Sequence, residues 1–199
     1  MKKAILLAFV FIAGMSISKA QHRNKNTWGI MGGMNFPMDG FTFKQTGDNL
    51  NSIFTSEEKS AGWHAGAFGR VYAKDQLYFG SNLFFFKNDH QLNGLDGDQK
   101  MTQTFTRTGS QLDLLAGIEL LDFIRAYGGV NGNITFNNDW NETFDSYGTG
   151  YLFGAGVDIW RLTIDVRYNG SFKDHEGSWK GIPLSYNRSD LMVGIGIKF

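Results

Sequence analysis

The chain has 199 residues, enough for one full domain. Hydrophobic residues at 42% exclude a disordered chain, and 19 Lys+Arg against 19 Asp+Glu leave no basic footprint for nucleic acid. Cysteine is absent, which removes disulfide scaffolds, thiol catalysis and cysteine-based zinc sites together.

The first predicted element is an export signal over residues 1–20. Lys2 and Lys3 form a basic start, Ala4 to Met15 is a short apolar run, and Ser18-Lys19-Ala20 supplies the small-x-small pattern of a cleavage site. The run falls short of the ~20 residues a membrane-spanning helix needs, so cleavage before Gln21 is expected. Removing Lys2, Lys3 and Lys19 leaves 16 basic and 19 acidic residues, a net charge of −3. Residues 21–199 then read as one domain with no later apolar run near helical-span length. Such a chain is either soluble outside the membrane or a β-barrel within one.

Period-2 alternation next predicts eight strands, at about 27–36, 62–72, 77–87, 110–119, 124–136, 150–159, 162–172 and 189–199. Each is near the ~9–11 residues a tilted strand needs to cross hydrocarbon. Long polar stretches follow strands one, three, five and seven, at about 37–61, 88–109, 137–149 and 173–188. Tight turns follow the even strands, around Lys74-Asp75, Leu121-Asp122 and Trp160-Arg161. Loops sorted by length in this way are the wiring of an up-and-down transmembrane barrel.

One face of every strand is free of charge, for example Leu112, Leu114, Ala116 and Ile118, or Leu191, Val193, Ile195 and Ile197. The other face holds Arg70, Asp113, Glu119, Arg125, Asp158, Asp165, Arg167, Asp190 and Lys198. A one-residue slip would put these charges into lipid, where an Arg or Lys at the midplane costs ~2–4 kcal/mol. The uncharged face is therefore expected to point outward and the charged face inward, as a lumenal ion-pair network. Glycines such as Gly66, Gly117, Gly154, Gly156 and Gly194 fall mostly on the inward side, where the narrow lumen of eight strands needs small residues beside large ones. Trp28, Phe36, Trp63, Tyr151, Tyr168 and Phe199 sit near strand ends, as an interfacial girdle does.

Several strand segments carry a family resemblance: Gly62-Trp63-His64-Ala65-Gly66, Gly154-Ala155-Gly156-Val157-Asp158, Asp165-Val166-Arg167-Tyr168-Asn169-Gly170 and Gly194-Ile195-Gly196-Ile197-Lys198-Phe199. In order and spacing they resemble the outer-membrane β-barrel domain family of Bacteroidetes, the porin family or PorT-like proteins, from about Trp28 to Phe199. The family often has a proline-glutamate pair where this chain has Ser81-Asn82, and an acidic-apolar-proline run where it has Asp113-Leu114-Leu115. The resemblance implies an eight-stranded barrel in the outer membrane, in contact with outer-membrane lipid. It implies no catalytic motif and, for PorT-like members, an accessory role in protein secretion. The terminal Phe199 resembles the C-terminal signal read by barrel-insertion machinery.

Catalytic and metal chemistry is sparse. His22, His64, His90 and His175 show no i, i+4 pairing, so a histidine metal site is not expected; His64 should face the lumen in a hydrogen-bonding role. Asp96 and Asp98 hint at a calcium loop without meeting the EF-hand pattern. Asp139, Glu142 and Asp145 near Trp140 read as a solvated loop. His175 with Ser171 or Ser178 is the single candidate pair for a lipid-modifying enzyme. The expectation is a non-enzymatic barrel without a cofactor. Its loops would present a surface for an extracellular ligand or an envelope protein, and its filled lumen would leave little or no open pore. A secretion accessory, a lipid-modifying enzyme and a soluble lipocalin-like barrel are the alternatives.

Overall fold

A computed structural model describes residues 26–38, 41–43, 54–73, 76–96, 99–120, 123–136, 146–179 and 182–199. The predicted export signal, Lys74-Asp75, Leu121-Asp122 and the acidic residues around Trp140 lie outside the described residues. Alternation of apolar and polar residues is the dominant local signal, and it produces twelve strands among the described residues. These are β1 (Thr27–Pro37), β2 (Phe41–Phe43), β3 (Phe54–Lys59), β4 (Gly62–Tyr72), β5 (Leu77–Asp96) and β6 (Gln99–Leu120). The chain continues with β7 (Ile124–Thr135), β8 (Tyr147–Ile159), β9 (Leu162–Ser171), β10 (His175–Trp179), β11 (Ile182–Tyr186) and β12 (Ser189–Lys198).

Eight of these strands, β1, β4, β5, β6, β7, β8, β9 and β12, pair antiparallel in chain order, and β1 pairs back onto β12. The wall is therefore a closed eight-stranded antiparallel barrel, as the alternation predicts. Closure matters because an open edge would leave a row of unpaired N–H and C=O groups, which hydrocarbon cannot satisfy. The seam runs from Gly29 opposite Lys198 to Pro37 opposite Asp190. At its end the Phe199 N–H donates to the Trp28 carbonyl at 2.8 Å, and the two rings lie 4.8 Å apart.

Short connections crowd one end of the barrel. Between β8 and β9, Ile159 faces Leu162 across a two-residue turn. Trp160 takes φ 55° there, the left-handed region that glycine usually fills. The opposite end departs from the sequence expectation. Residues 88–109 read as a loop, yet β5 and β6 stay paired from Leu77–Ile118 to Asp96–Gln99, well past the last partner of β4 at Lys87. The resulting hairpin arm is flanked by β3 against His90–Gly94. The stretches read as loops at 37–61 and 173–188 likewise contain strands, and β2, β11 and β10 form a second, three-stranded sheet. Along residues 88–109 polar side chains fall on both parities, so the solvent contrast that reveals a strand in sequence is missing, although threonines at 102, 104, 106 and 108 favour extended backbone. β2 and β11, three and five residues long, are too short for their alternation to stand out.

The register of the barrel strands sorts side chains by polarity. Trp28, Ile30, Phe79, Phe85, Leu114, Val130, Phe153, Ile164 and Ile195 are exposed on the outside. Inside are Met31, Phe68 and Phe84 in one apolar cluster, and Tyr78, Tyr127 and Leu152 in another. Polar and charged residues dominate the rest of the interior. This is the reverse of a water-soluble barrel, which hides its apolar face, so the lipocalin-like alternative is overturned.

Glycine on the inward face makes room for this filling. A Cβ on Gly156 would lie 2.2 Å from Arg125 Nη2, and one on Gly154 would lie 2.6 Å from the Tyr127 hydroxyl. The large side chain and the missing one are neighbours on adjacent strands, Arg125 opposite Gly156 and Tyr127 opposite Gly154. Gly156→Val is expected to displace the Arg125 guanidinium and cost about 1–3 kcal/mol, the range for overpacking. A lowered urea midpoint for unfolding from lipid vesicles would register it; an unchanged midpoint would show slack in the lumen.

Candidate functional site

Among the described residues the charged interior gathers the chemistry-bearing groups, and alternation on six of the eight barrel strands puts the charges there. Near the short-turn end, Asp158 of β8 is the hub. Arg70 Nη1 of β4 approaches its carboxylate at 2.8 Å, Arg125 Nε of β7 at 3.2 Å and Lys198 Nζ of β12 at 3.2 Å. Thr163 Oγ1 of β9 accepts from Arg70 Nη2 at 3.3 Å and from Arg125 Nη2 at 2.8 Å. Asp165 pairs with Arg125 Nη2 at 3.4 Å and accepts from the Tyr127 hydroxyl. The Glu119 carboxylate accepts from the Tyr72 hydroxyl.

Halfway up, Asp113 and Arg167 are both fully enclosed, and Arg167 Nη1 meets Asp113 Oδ2 at 2.7 Å. Gln111 Nε2 and Asn82 Nδ2 also donate to this carboxylate, at 2.6 and 3.1 Å. The Arg167 guanidinium lies 4.5 Å from the centre of the Phe84 ring, which covers its face. Between these two layers is a cavity of about 10 Å³ beside Asn82, Arg125, Tyr127, Asp165 and Arg167, room for about one water molecule.

Toward the loop end, Arg188 Nε donates to Asp190 at 2.8 Å, and its Nη2 donates to Gln111. Arg107 donates to Thr135 Oγ1 at 3.2 Å and to Asn133, and lies 4.8 Å from the Phe86 ring centre. On β1 and β4, His64 Nδ1 lies 2.6 Å from Asn35 Oδ1, and Asn35 Nδ2 donates to Asn88 Oδ1 at 2.9 Å.

All nine charges singled out in the sequence thus line the interior, but they do not form one site. Arg70, Arg125, Asp158, Asp165 and Lys198 share one layer; Asp113 with Arg167 and Asp190 with Arg188 are separate pairs. Glu119 has Tyr72 as its partner. Arg107 and Arg188 are also interior, although both lie in stretches that read as loops in the sequence. The signal was present: Arg107 keeps the parity of Gln111 and Asp113, and Arg188 that of Asp190. Enclosing these charges is costly unless each is paired, and opposite charges close at hand supply the compensation. Chemically the arrangement is a set of ion pairs and hydrogen-bonded charges, in which Glu119 and Asp165 also accept from the Tyr72 and Tyr127 hydroxyls. Among the described residues no group of three or more His, Cys, Asp or Glu could hold a metal. Asp98 and His22 lie outside the described residues, as do the side chains of Asp96, His90, His175 and Ser178.

No family model matches the chain, and no curated protein matches it. Solved structures do. The outer membrane protein OprG from Pseudomonas aeruginosa superimposes with a TM-score of 0.53 at 15% identity, covering 87% of this chain and 96% of that one. Outer membrane protein W of E. coli matches with a TM-score of 0.42 at 15% identity, over 90% of this chain and 100% of its own. The attachment invasion locus protein Ail of Yersinia pestis matches at 0.40 and 12% identity, over 87% and 99%. The OprG likeness is one of fold, and it agrees with the closed wall and inverted polarity: the chain has the fold of a small eight-stranded outer-membrane β-barrel.

Proposed function

We propose that the protein is a non-enzymatic barrel of the outer membrane, exported through a cleaved signal at residues 1–20. Its wall anchors it, and its loop end presents β-structured surface for binding a partner or supporting envelope integrity. The observation that carries this reading is the ion-paired filling. Arg70, Arg125 and Lys198 converge on Asp158, and Arg167 meets Asp113 above them, so the lumen is occupied by side chains rather than a water column. The exposed aromatic rows at both strand ends fit a bilayer boundary. Phe199, held at the seam by Trp28, fits the role of a recognition signal for barrel-insertion machinery.

Conductance tests the closed lumen. In planar bilayers the refolded protein is expected to give no large, stable current steps, and such steps in the wild-type chain would sink the reading. The secretion-accessory role that PorT-like resemblance implies is the second reading. It is favoured by the β5–β6 arm, whose paired strands extend beyond the wall and offer a long surface to an envelope protein. Co-purification of secretion components with the full chain from gently extracted outer membranes would support it; their absence would count against it.

A further inference from the structure

His64 has one ring nitrogen that its surroundings do not explain. Asn35 uses both its Nδ2 hydrogens as donors, to Asn88 Oδ1 at 2.9 Å and to the Trp63 carbonyl at 3.2 Å. Its Oδ1 is therefore an acceptor, and the 2.6 Å contact requires the hydrogen to be on His64 Nδ1. Nε2 is then left with a bare lone pair, in a side chain that is 2% exposed, and it has no hydrogen-bond partner. A lone pair enclosed in this way calls for a partner, either a proton donor such as water or a metal ion.

That lone pair converges with a soft donor. The position a Cβ on Gly194 would occupy lies 3.1 Å from His64 Nε2 and 2.9 Å from Met31 Sδ. Glycine on β12 thus keeps open the space between a ring nitrogen of β4 and a thioether of β1. The thioether is a soft donor that favours Cu(I) over harder ions, and the borderline imidazole suits copper as well. Both donors are neutral, which suits a monovalent d10 ion with two ligands. Typical bonds of about 2.0 Å to nitrogen and 2.3 Å to sulfur would draw the Met31 side chain toward the ring, a motion its flexible thioether allows. The positive charge nearby, on Arg167, is balanced by Asp113, which Nη1 meets at 2.7 Å, while its Nη2 has no hydrogen-bond partner. The imidazole is oriented through its other nitrogen by Asn35, the support that metal-bound histidines usually have.

We infer that His64 Nε2 and Met31 Sδ form a buried two-ligand site for a soft monovalent cation, Cu(I) or its redox-inert analogue Ag(I). This goes beyond anchoring and does not depend on which partner the loops meet.

The full mature chain, refolded in detergent with Ag(I) and then passed over a chelating resin, is expected to retain one ion per barrel. Met31→Leu conserves volume and apolar packing, the class of swap that cores tolerate best, so it should fold. It is expected to lower Ag(I) affinity at least tenfold, while lipid-facing Met34→Leu leaves it unchanged. The Nε2 nitrogen resonance of His64 in the wild-type barrel should shift on Ag(I) addition, whereas a bound water would leave it unmoved. The site is overturned if no Ag(I) is retained, if Met31→Leu binds as tightly as the wild type, or if that resonance does not move. Equal retention of Zn(II) would overturn its softness. Gel mobility before and after boiling confirms the closed barrel in each variant.

Discussion

Asp113→Leu is expected to cost the folded barrel about 3–5 kcal/mol, the penalty for leaving one partner of a buried ion pair uncompensated. Asp113 is enclosed, and Arg167 opposite it has only 2% of its side chain accessible. The substitution strips the guanidinium of its counter-charge and leaves Gln111 Nε2 and Asn82 Nδ2 without this acceptor. Unfolding from lipid vesicles by urea, followed by gel mobility, measures the loss. Arg167→Met in the same chain should recover most of it, because an apolar pair of similar volume replaces a charged pair at little net cost. If the single and double variants were equally destabilised, the defect would lie in packing rather than in charge.

The neighbouring residue provides the second test, with the opposite solvent. Leu114 follows Asp113 on β6 and points out of the wall, 56% exposed. Leu114→Arg is expected to destabilise the barrel in a phospholipid bilayer by about 2–4 kcal/mol, because the side chain enters hydrocarbon near mid-height. The same cation at an exposed position in water would shift stability by no more than about 0.5 kcal/mol. Vesicle refolding of the variant separates the two outcomes. A neutral result would mean that this face is wetted by something other than lipid.

The fold was legible in the sequence because the wall separates two unlike media. Wherever hydrocarbon meets one face and paired charges the other, as along Gln111 to Leu120, alternate residues record the boundary. The β-structure at the loop end was illegible for the same reason. On residues 88–108 no such boundary exists, and β10 and β11, five residues each, are too short for a pattern to stand out. Arg107 and Arg188 lie in those stretches, although Arg188 is one alternation step, and Arg107 two, beyond a strand the alternation marks. The pairing of charges was harder still. Sequence places Asp158 and Arg70 on the inner face, but only the order of strands around the barrel brings β4 and β8 to the same depth. The meeting of His64, Met31 and Gly194 depends likewise on the seam, which joins the two ends of the chain.

That seam is also the wall contact with the greatest sequence separation, which by loop-closure entropy is expected to form last. Every other wall contact joins strands that are neighbours in order, whereas β1 and β12 are partners across almost the whole polypeptide, Gly29 opposite Lys198. The entropic toll of such a long loop falls on the final step, after the remaining strands have found each other. Until then β1 and its awaiting mate are both raw edges, able to recruit strands from other molecules. A chain cut before Ser189 would carry the hazard permanently, with β1 and β9 left open. Productive maturation therefore requires that the earliest-made strand be shielded until the latest-made one arrives.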